Sequence, residues 1–326
     1  GKYYFARGQN PAHQISLRHM SDNTFGIVLR RPPEPNEVIA DVDAISAPEL
    51  VYPEAVYLHT GETFFVRELD LTGKVAYVER REMDYYSQAV LESNVRSTGE
   101  RERATPSPSD VNDFGSVDIP QVLANADLAF GDVDVTWKTV AFKKIKFSTR
   151  ENIGFGPVDI PEQLLPTTAF WLTPRGDIRR RLELEGFRTS EGVCGLRNLA
   201  IVALPIVAMC DSRDISGVVD SKNLGKSSLI VYDRYPGGLG YCEKGYHAID
   251  ELLRICHEMV ATCSCVDGCP SCVGLPNLRP AIHSDPDLTR GYPIPDKAAT
   301  LRLLELLTTP TTADEGISKP SPYQFR

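Results

Sequence analysis

Four of the eight cysteines fall within ten residues, Cys263-Ser-Cys265-Val-Asp-Gly-Cys269-Pro-Ser-Cys272, spaced C-x-C-x3-C-x2-C. Their sulfurs can converge on one point without help from distant sequence, and thiolates hold Zn(II) at about 2.3 Å in a closed tetrahedron when the site is structural. A four-sulfur shell leaves no open position for a catalytic water, so the chemistry expected of Cys263, Cys265, Cys269 and Cys272 is stabilisation by a structural zinc. The half Cys269-Pro-Ser-Cys272-Val-Gly274 has the form of a metal knuckle, whose tight turn points backbone N–H groups at the sulfurs, and Asp267-Gly268 supplies the turn before it. Other uses of these thiols compete. A disulfide framework is disfavoured by the modest cysteine density of a 326-residue chain and by the strain of bridging Cys263 to Cys265. An iron–sulfur cluster also takes four thiolates, and spacing alone leaves it open. A zinc deaminase would need proline before the second cysteine pair and an H-x-E upstream; here Gly268 precedes Cys269 and His257-Glu258 has no intervening residue.

Two other stretches carry residues able to meet nucleic acid. From Val133 to Phe147 the apolar series Val133, Val135, Trp137, Val140, Phe142, Ile145 is interleaved with Lys138, Lys143, Lys144 and Lys146. Aromatics alternating with lysines suit single-strand stacking and phosphate contact. A half-buried hairpin with a lysine-bearing solvent face gives the same pattern. Farther on, Asp233-Arg234-Tyr-Pro-Gly237-Gly238-Leu-Gly240 joins a strand to a helix, and amides near Gly238, with Arg234 beside them, could hold one phosphate. Close strand–helix packing is the plainer reading, and the third glycine of a dinucleotide fingerprint is missing. The sequence contains no G-x-x-x-x-G-K-[ST] loop and no acidic Mg-binding box, so ATP hydrolysis is not expected of this chain alone.

The elements that must position these residues suggest an α+β protein: a small β-barrel-like N-terminal module, then a mixed α/β domain bearing the four-cysteine zinc site. Strands are expected at His13–Met20, Phe25–Leu29, Glu37–Val42, Ala55–His59, Thr63–Leu69 and Lys74–Val78, with a short helix within Ala44–Tyr52. Ser97–Asp118, poor in apolar residues, reads as a flexible linker. The expected division is therefore 1–96 for the β-rich module, 97–118 for the linker, 119–308 for the zinc domain and 309–326 for a disordered tail. Within the zinc domain, Glu191–Cys210 has apolar residues on two faces and predicts a helix buried on most sides, kinked by Pro205. A strand at Ser227–Tyr232 precedes one long helix running to about Thr262, which leads into Cys263, and Asp296 caps a final amphipathic helix. No apolar run approaches the ~18 residues of a membrane span, and no signal-peptide layout opens the chain, so a cytoplasmic protein without a membrane partner is expected. The apolar, Tyr-rich opening reads as the interior of a longer polypeptide. A net charge of −9 confines any nucleic-acid contact to a local basic patch.

Three segments in this order, Cys210-Asp-Ser-Arg-Asp-Ile-Ser-Gly217, Val231-Tyr-Asp-Arg-Tyr-Pro-Gly-Gly-Leu-Gly240 and Cys263–Cys272, resemble the C-terminal zinc-binding domain of superfamily 2 DNA helicases of the mitomycin repair helicase family and their fungal relatives akin to the fourth RecQ helicase. Pro53–Gly61, Leu69-Asp-Leu71 and Asp84-Tyr-Tyr86 resemble that family's β-rich region, so the likeness runs from about Tyr4 to Leu307. The resemblance implies four zinc ligands at the cysteines named above and a role, beside motor domains of the same polypeptide that handle ATP and Mg²⁺, in 3′-to-5′ DNA unwinding during repair. Single-stranded DNA, and a nuclease, are the partners it suggests. The chain departs from the family pattern at Cys194-Gly-Leu-Arg-Asn198, where many members are His-rich, and at Leu275–Arg279, which lacks a further cysteine. From a different class, the same domain also fits a zinc-stabilised scaffold that accompanies a separate helicase in phage defence.

Overall fold

A computed structural model describes residues 23–104, 125–220, 223–274 and 294–308. The expected strand at His13–Met20, the expected linker beyond residue 104, the Pro-rich stretch after Gly274 and the tail from residue 309 lie outside the described residues. The described chain forms two compact units.

The first unit opens with β1 (Thr24–Leu29), β2 (Glu37–Asp43), the short helix α1 (Ala47–Leu50), β3 (Val56–His59), β4 (Glu62–Asp70) and β5 (Val75–Arg80). These strands make one sheet in the order β2-β1-β5-β4-β3, with β1 and β5 parallel and every other pair antiparallel. The path is open, half of a barrel rather than a closed one. Alternate residues point to one side, as a pleated strand requires, so Phe25, Ile27 and Leu29 of β1 meet Phe64 and Val66 of β4 and Ala76 and Val78 of β5 in a shared core. Phe142, Val158 and Ile160 join the same core. Residues 135–165 therefore pack with the first unit, although the sequence reading placed them in the second domain.

Two long strands carry the chain between the units: β6 (Tyr85–Ala104) and β7 (Ala126–Lys146). This corrects the linker expected from Ser97, because Ser97–Ala104 continue β6. The segment buries little of its own surface, as its composition implies, yet it is the edge neighbour of β7, and backbone pairing with a strand buried on its other side offsets the ordering entropy. Cross-strand ion pairs add to the ladder, with Arg101 Nε and Nη2 on Asp132 at 3.0 and 2.6 Å and Arg96 on Asp134 at 3.1 Å. Charged side chains along an exposed edge also oppose pairing with a second sheet.

In the second unit the sheet runs β10-β11-β9-β7-β6, with β9 at Gln163–Pro174, β10 at Ile215–Asp220 and β11 at Ser228–Asp233; β8 (Asn152–Pro157) pairs with β7 in the first unit. Four longer helices complete the unit with the seven-residue α4: α2 (Gly176–Leu184), α3 (Thr189–Ala208), α4 (Tyr241–His247), α5 (Ile249–Ala261) and α6 (Lys297–Thr308). Helix α3 packs against α4, α5, α6, β10 and β11, and Leu196, Leu199, Ala200, Ala203 and Leu204 are fully buried there. It is long and apolar enough to span a membrane by length and composition, contrary to the sequence expectation, but its buried face makes it the core helix of the unit.

Two helical expectations change. Val202 and Ile206 of α3 are 55% and 65% exposed, so one flank faces outward instead of being buried on most sides. Pro205 lies inside the helix, three residues from its end, and the helix closes with Met209 in the left-handed region. The single helix expected after β11 is broken at Ala248, where φ −110° and ψ 30° leave helical geometry between α4 and α5.

Leu204→Ala should therefore cost about 2–5 kcal/mol in urea unfolding, whereas Ile206→Ala, two residues on, should change stability by less than about 0.5 kcal/mol. Equal costs at the two positions would contradict the exposed flank.

Candidate metal centre

The cysteine cage hangs from three helices. Helix α5 drives Leu252, Leu253, Cys256 and Val260 into the core and ends at Ala261, so Cys263 emerges two residues past a firmly seated helix. Val273, 1% exposed, anchors the other end of the loop, and its carbonyl accepts a 2.6 Å hydrogen bond from Asn198 Nδ2 on α3. From the first residue of α6, Lys297 Nζ donates to the carbonyls of Cys263 and Cys265 at 2.7 and 2.5 Å. The loop is thus pinned from α5, α3 and α6.

The knuckle itself closes with the Cys272 and Gly274 amides donating to the Cys269 carbonyl, each at 3.1 Å. Gly274 sits at φ +77°, and a Cβ there would stand 2.6 Å from Asn198 Nδ2, so glycine is needed for both the turn and the close approach of α3. The Cys269 amide donates to Cys272 Sγ at 3.2 Å. The Ser271 amide first, and the Cys263 thiol next, draw the Cys269 thiol down to about 7, which favours the thiolate a metal needs.

Sulfur spacing decides among the chemistries left open. Cys263 Sγ lies 3.5 Å from Cys265 Sγ and 3.6 Å from Cys269 Sγ, while Cys272 Sγ lies 3.5 Å from Cys265 Sγ and 3.6 Å from Cys269 Sγ. All four sulfurs fall within 4.8 Å of one another. A tetrahedron with metal–sulfur bonds of about 2.3 Å has edges of about 3.8 Å, so one zinc ion fits the cage. A bonded pair of sulfurs would stand about 2.05 Å apart, and a four-iron cluster needs its thiolates roughly 6 Å apart to fit between them. The donor set therefore fits Zn(II), held by Cys263, Cys265, Cys269 and Cys272, and the ion supplies folding energy with its coordination sphere filled by sulfur.

The other cysteines are buried hydrophobes or close to it. Burial pushes Cys256 up to about 12 and Cys210 up to about 11, and holds Cys242 well above the ordinary thiol value. These thiols stay protonated at neutral pH.

The loop after β11 closes a second question. Asp233, fully buried, accepts from the amides of Leu239 at 2.6 Å and Gly240 at 3.0 Å through Oδ2, and of Cys242 at 3.0 Å through Oδ1. The Gly237 amide bonds Pro166 O and the Gly238 amide bonds Tyr235 O. The amides that the sequence offered to a phosphate near Gly238 are therefore spent on the protein's own carboxylate and carbonyls. Gly238, at φ +76°, is glycine because a Cβ would stand 2.0 Å from Thr168 Oγ1. Arg234 extends the same turn, its amide donating to Asp214 O at 2.8 Å. The Asp at the strand end was visible in the sequence; its role as an internal anion for the amides was the signal left unread.

In the first unit the stacking surface expected on β7 is only partly present. Trp137 and Phe142 point into the core, so neither can stack a base. Lys138 pairs with Asp159 at 3.2 Å, and Lys144 Nζ sits over the rings of Tyr85 and Phe142 at 5.6 and 5.7 Å. Lys146 holds the strand end, its amide bonding Glu151 O. What the sequence missed is β8: Phe155, 62% exposed, stands directly across from Lys143 in the ladder. Phe147, also exposed, lies against Tyr86 at 5.5 Å.

Comparison with known proteins follows the same outline. Residues 196–273, from α3 through the last zinc-knuckle residues, match the family described as the MrfA Zn-binding domain. A curated relative, the uncharacterized ATP-dependent helicase YprA of Bacillus subtilis, is 32% identical over 276 residues, 84% of this chain and 34% of the relative. The ATP-dependent helicase hrq1 of Schizosaccharomyces pombe is 22% identical over 313 residues, 91% of this chain and 27% of its own length. Among solved structures, the DUF1998 helicase MrfA bound to DNA superposes with a TM-score of 0.55 at 30% identity, covering 94% of this chain and 36% of that one. The chain thus spans about a third of the length of these helicases.

Cys269→Ser should empty the cage and Cys256→Ala should leave it filled, both read as zinc per chain by elemental analysis of purified protein. Metal retained in Cys269→Ser, or lost in Cys256→Ala, would overturn the ligand set.

Proposed function

We propose that this chain, a helicase-associated region with the zinc-binding domain of the MrfA type, guides single-stranded DNA past helicase motor domains of the same polypeptide. In this reading the motor domains bind ATP and Mg²⁺ and drive 3′-to-5′ unwinding in DNA repair, and a nuclease acts on the strand released. The zinc cage keeps α3, α5 and α6 in fixed register, so that a strand held by the protein does not deform it as force is applied. A reducing compartment, the cytoplasm, keeps the four thiols available to the metal.

The observation that carries the DNA-contacting role is the exposed Phe155 across from Lys143, with Lys144, Lys146 and Phe147 on the same hairpin. An aromatic face beside ammonium groups meets any base and its phosphate without regard to sequence, as a translocating strand demands. The acidic whole, at −9, leaves such a patch as the place where phosphate is attracted. The DNA-bound state of the similar MrfA helicase supports the assignment.

A fluorescein-labelled oligo-dT titrated across a salt series tests it. Binding should weaken as salt rises, Lys143→Ala should make the log–log slope shallower by about 0.7, and Phe155→Ala should weaken binding by about 5- to 100-fold. Absence of binding, or binding indifferent to salt and to both substitutions, would favour the protein scaffold that partners a separate helicase.

A further inference from the structure

The second unit brings together one more set of metal-competent side chains. Glu102 on β6 and Glu243 and His247 on α4 have their ligand atoms within 4.8 Å of one another, and all three are exposed. Glu243 and His247 are four residues apart on one helix, which sets them on one face. Strand β6 delivers Glu102 from the far side of the sequence.

Nothing else in the described residues satisfies this trio. His247 Nε2 stands 3.8 Å from Glu102 Oε2, beyond hydrogen-bond reach, so the contact is an open one. The carboxylates beside it are already matched: Glu100 with Arg103, and Asp132 with both nitrogens of the Arg101 fork. Arg101 feels the charge of Glu243 yet is held by Asp132, and neither Glu102 nor Glu243 has an arginine or lysine within ion-pair distance among the described residues. The His247 ring is braced edge-on by Tyr246, centroids 5.0 Å apart at 72°. Bracing lowers the rotamer entropy lost when the imidazole binds.

We propose that Glu102, Glu243 and His247 form a second metal site, for a divalent transition ion, that ties the edge strand β6 to α4. One imidazole nitrogen and two carboxylates suit Zn²⁺, Co²⁺ or Ni²⁺ better than the all-oxygen shells of Mg²⁺ and Ca²⁺. Donors at about 2.1 Å in a tetrahedron stand roughly 3.4 Å apart, a distance that small rotations of two exposed glutamates reach. Three protein ligands leave the remaining position to water, so the site is chemically unlike the closed cysteine cage.

The test uses tag-free protein whose cysteine cage is already filled with zinc, titrated with Ni²⁺ by calorimetry. One further ion per chain should bind, and His247→Ala and Glu102→Gln should each weaken that binding by at least tenfold while structural zinc content stays the same. The same Ni²⁺ addition should raise the melting temperature of the parent protein and leave that of His247→Ala unmoved. No binding beyond the structural ion, or binding undiminished in both variants, overturns the site.

Discussion

Four thiolates do not share a space of this size unless a cation sits among them. Sulfurs 3.5–3.6 Å apart repel one another when ionised, and the loop that carries them has only Val273 and Cys272 as buried anchors of its own. The protein meets the constraint from outside the loop. Helix α5 fixes where the loop begins, Asn198 of α3 fixes where it ends, and Lys297 of α6 holds the carbonyls of its first two cysteines. Zinc and helices are therefore coupled: removing the ion frees the loop, and loosening any of these helices misplaces the sulfurs.

The same logic of internal satisfaction governs the turn after β11. A buried carboxylate is costly unless its lone pairs are used, and Asp233 uses its two oxygens on three amides at the start of α4. That arrangement fixes α4, and with it α5, whose far end launches Cys263. A strand end, a helix start and the metal cage are thus one mechanical series, and it lies within the residues that match the family.

How much of this was legible depended on whether the cause was local. The cage was readable because its four ligands lie within ten residues and chelation needs no distant partner. The strands β1 to β5 were readable from period-two patterning, though not their order in the sheet, and Asp296 as the cap of α6 from its position, its Oδ1 indeed taking the Ala299 amide at 2.7 Å. What was misread had distant causes. The charged run Ser97–Ala104 lacks apolar residues and looks like a linker until β7 is beside it. Gly238 looks like a phosphate cradle until Asp233 is seen to fill it. Trp137 and Phe142 look available for stacking until the core of the first unit is assembled around Phe142. Residues 135–165 likewise show their allegiance only through the core they share with strands far earlier in the chain.

X-ray absorption at the zinc edge of the purified protein tests the cage most directly. The account predicts one zinc per chain with a single shell of four sulfurs at about 2.3 Å. Nitrogen or oxygen in the first shell, or iron with a neighbouring iron in place of zinc, would contradict it.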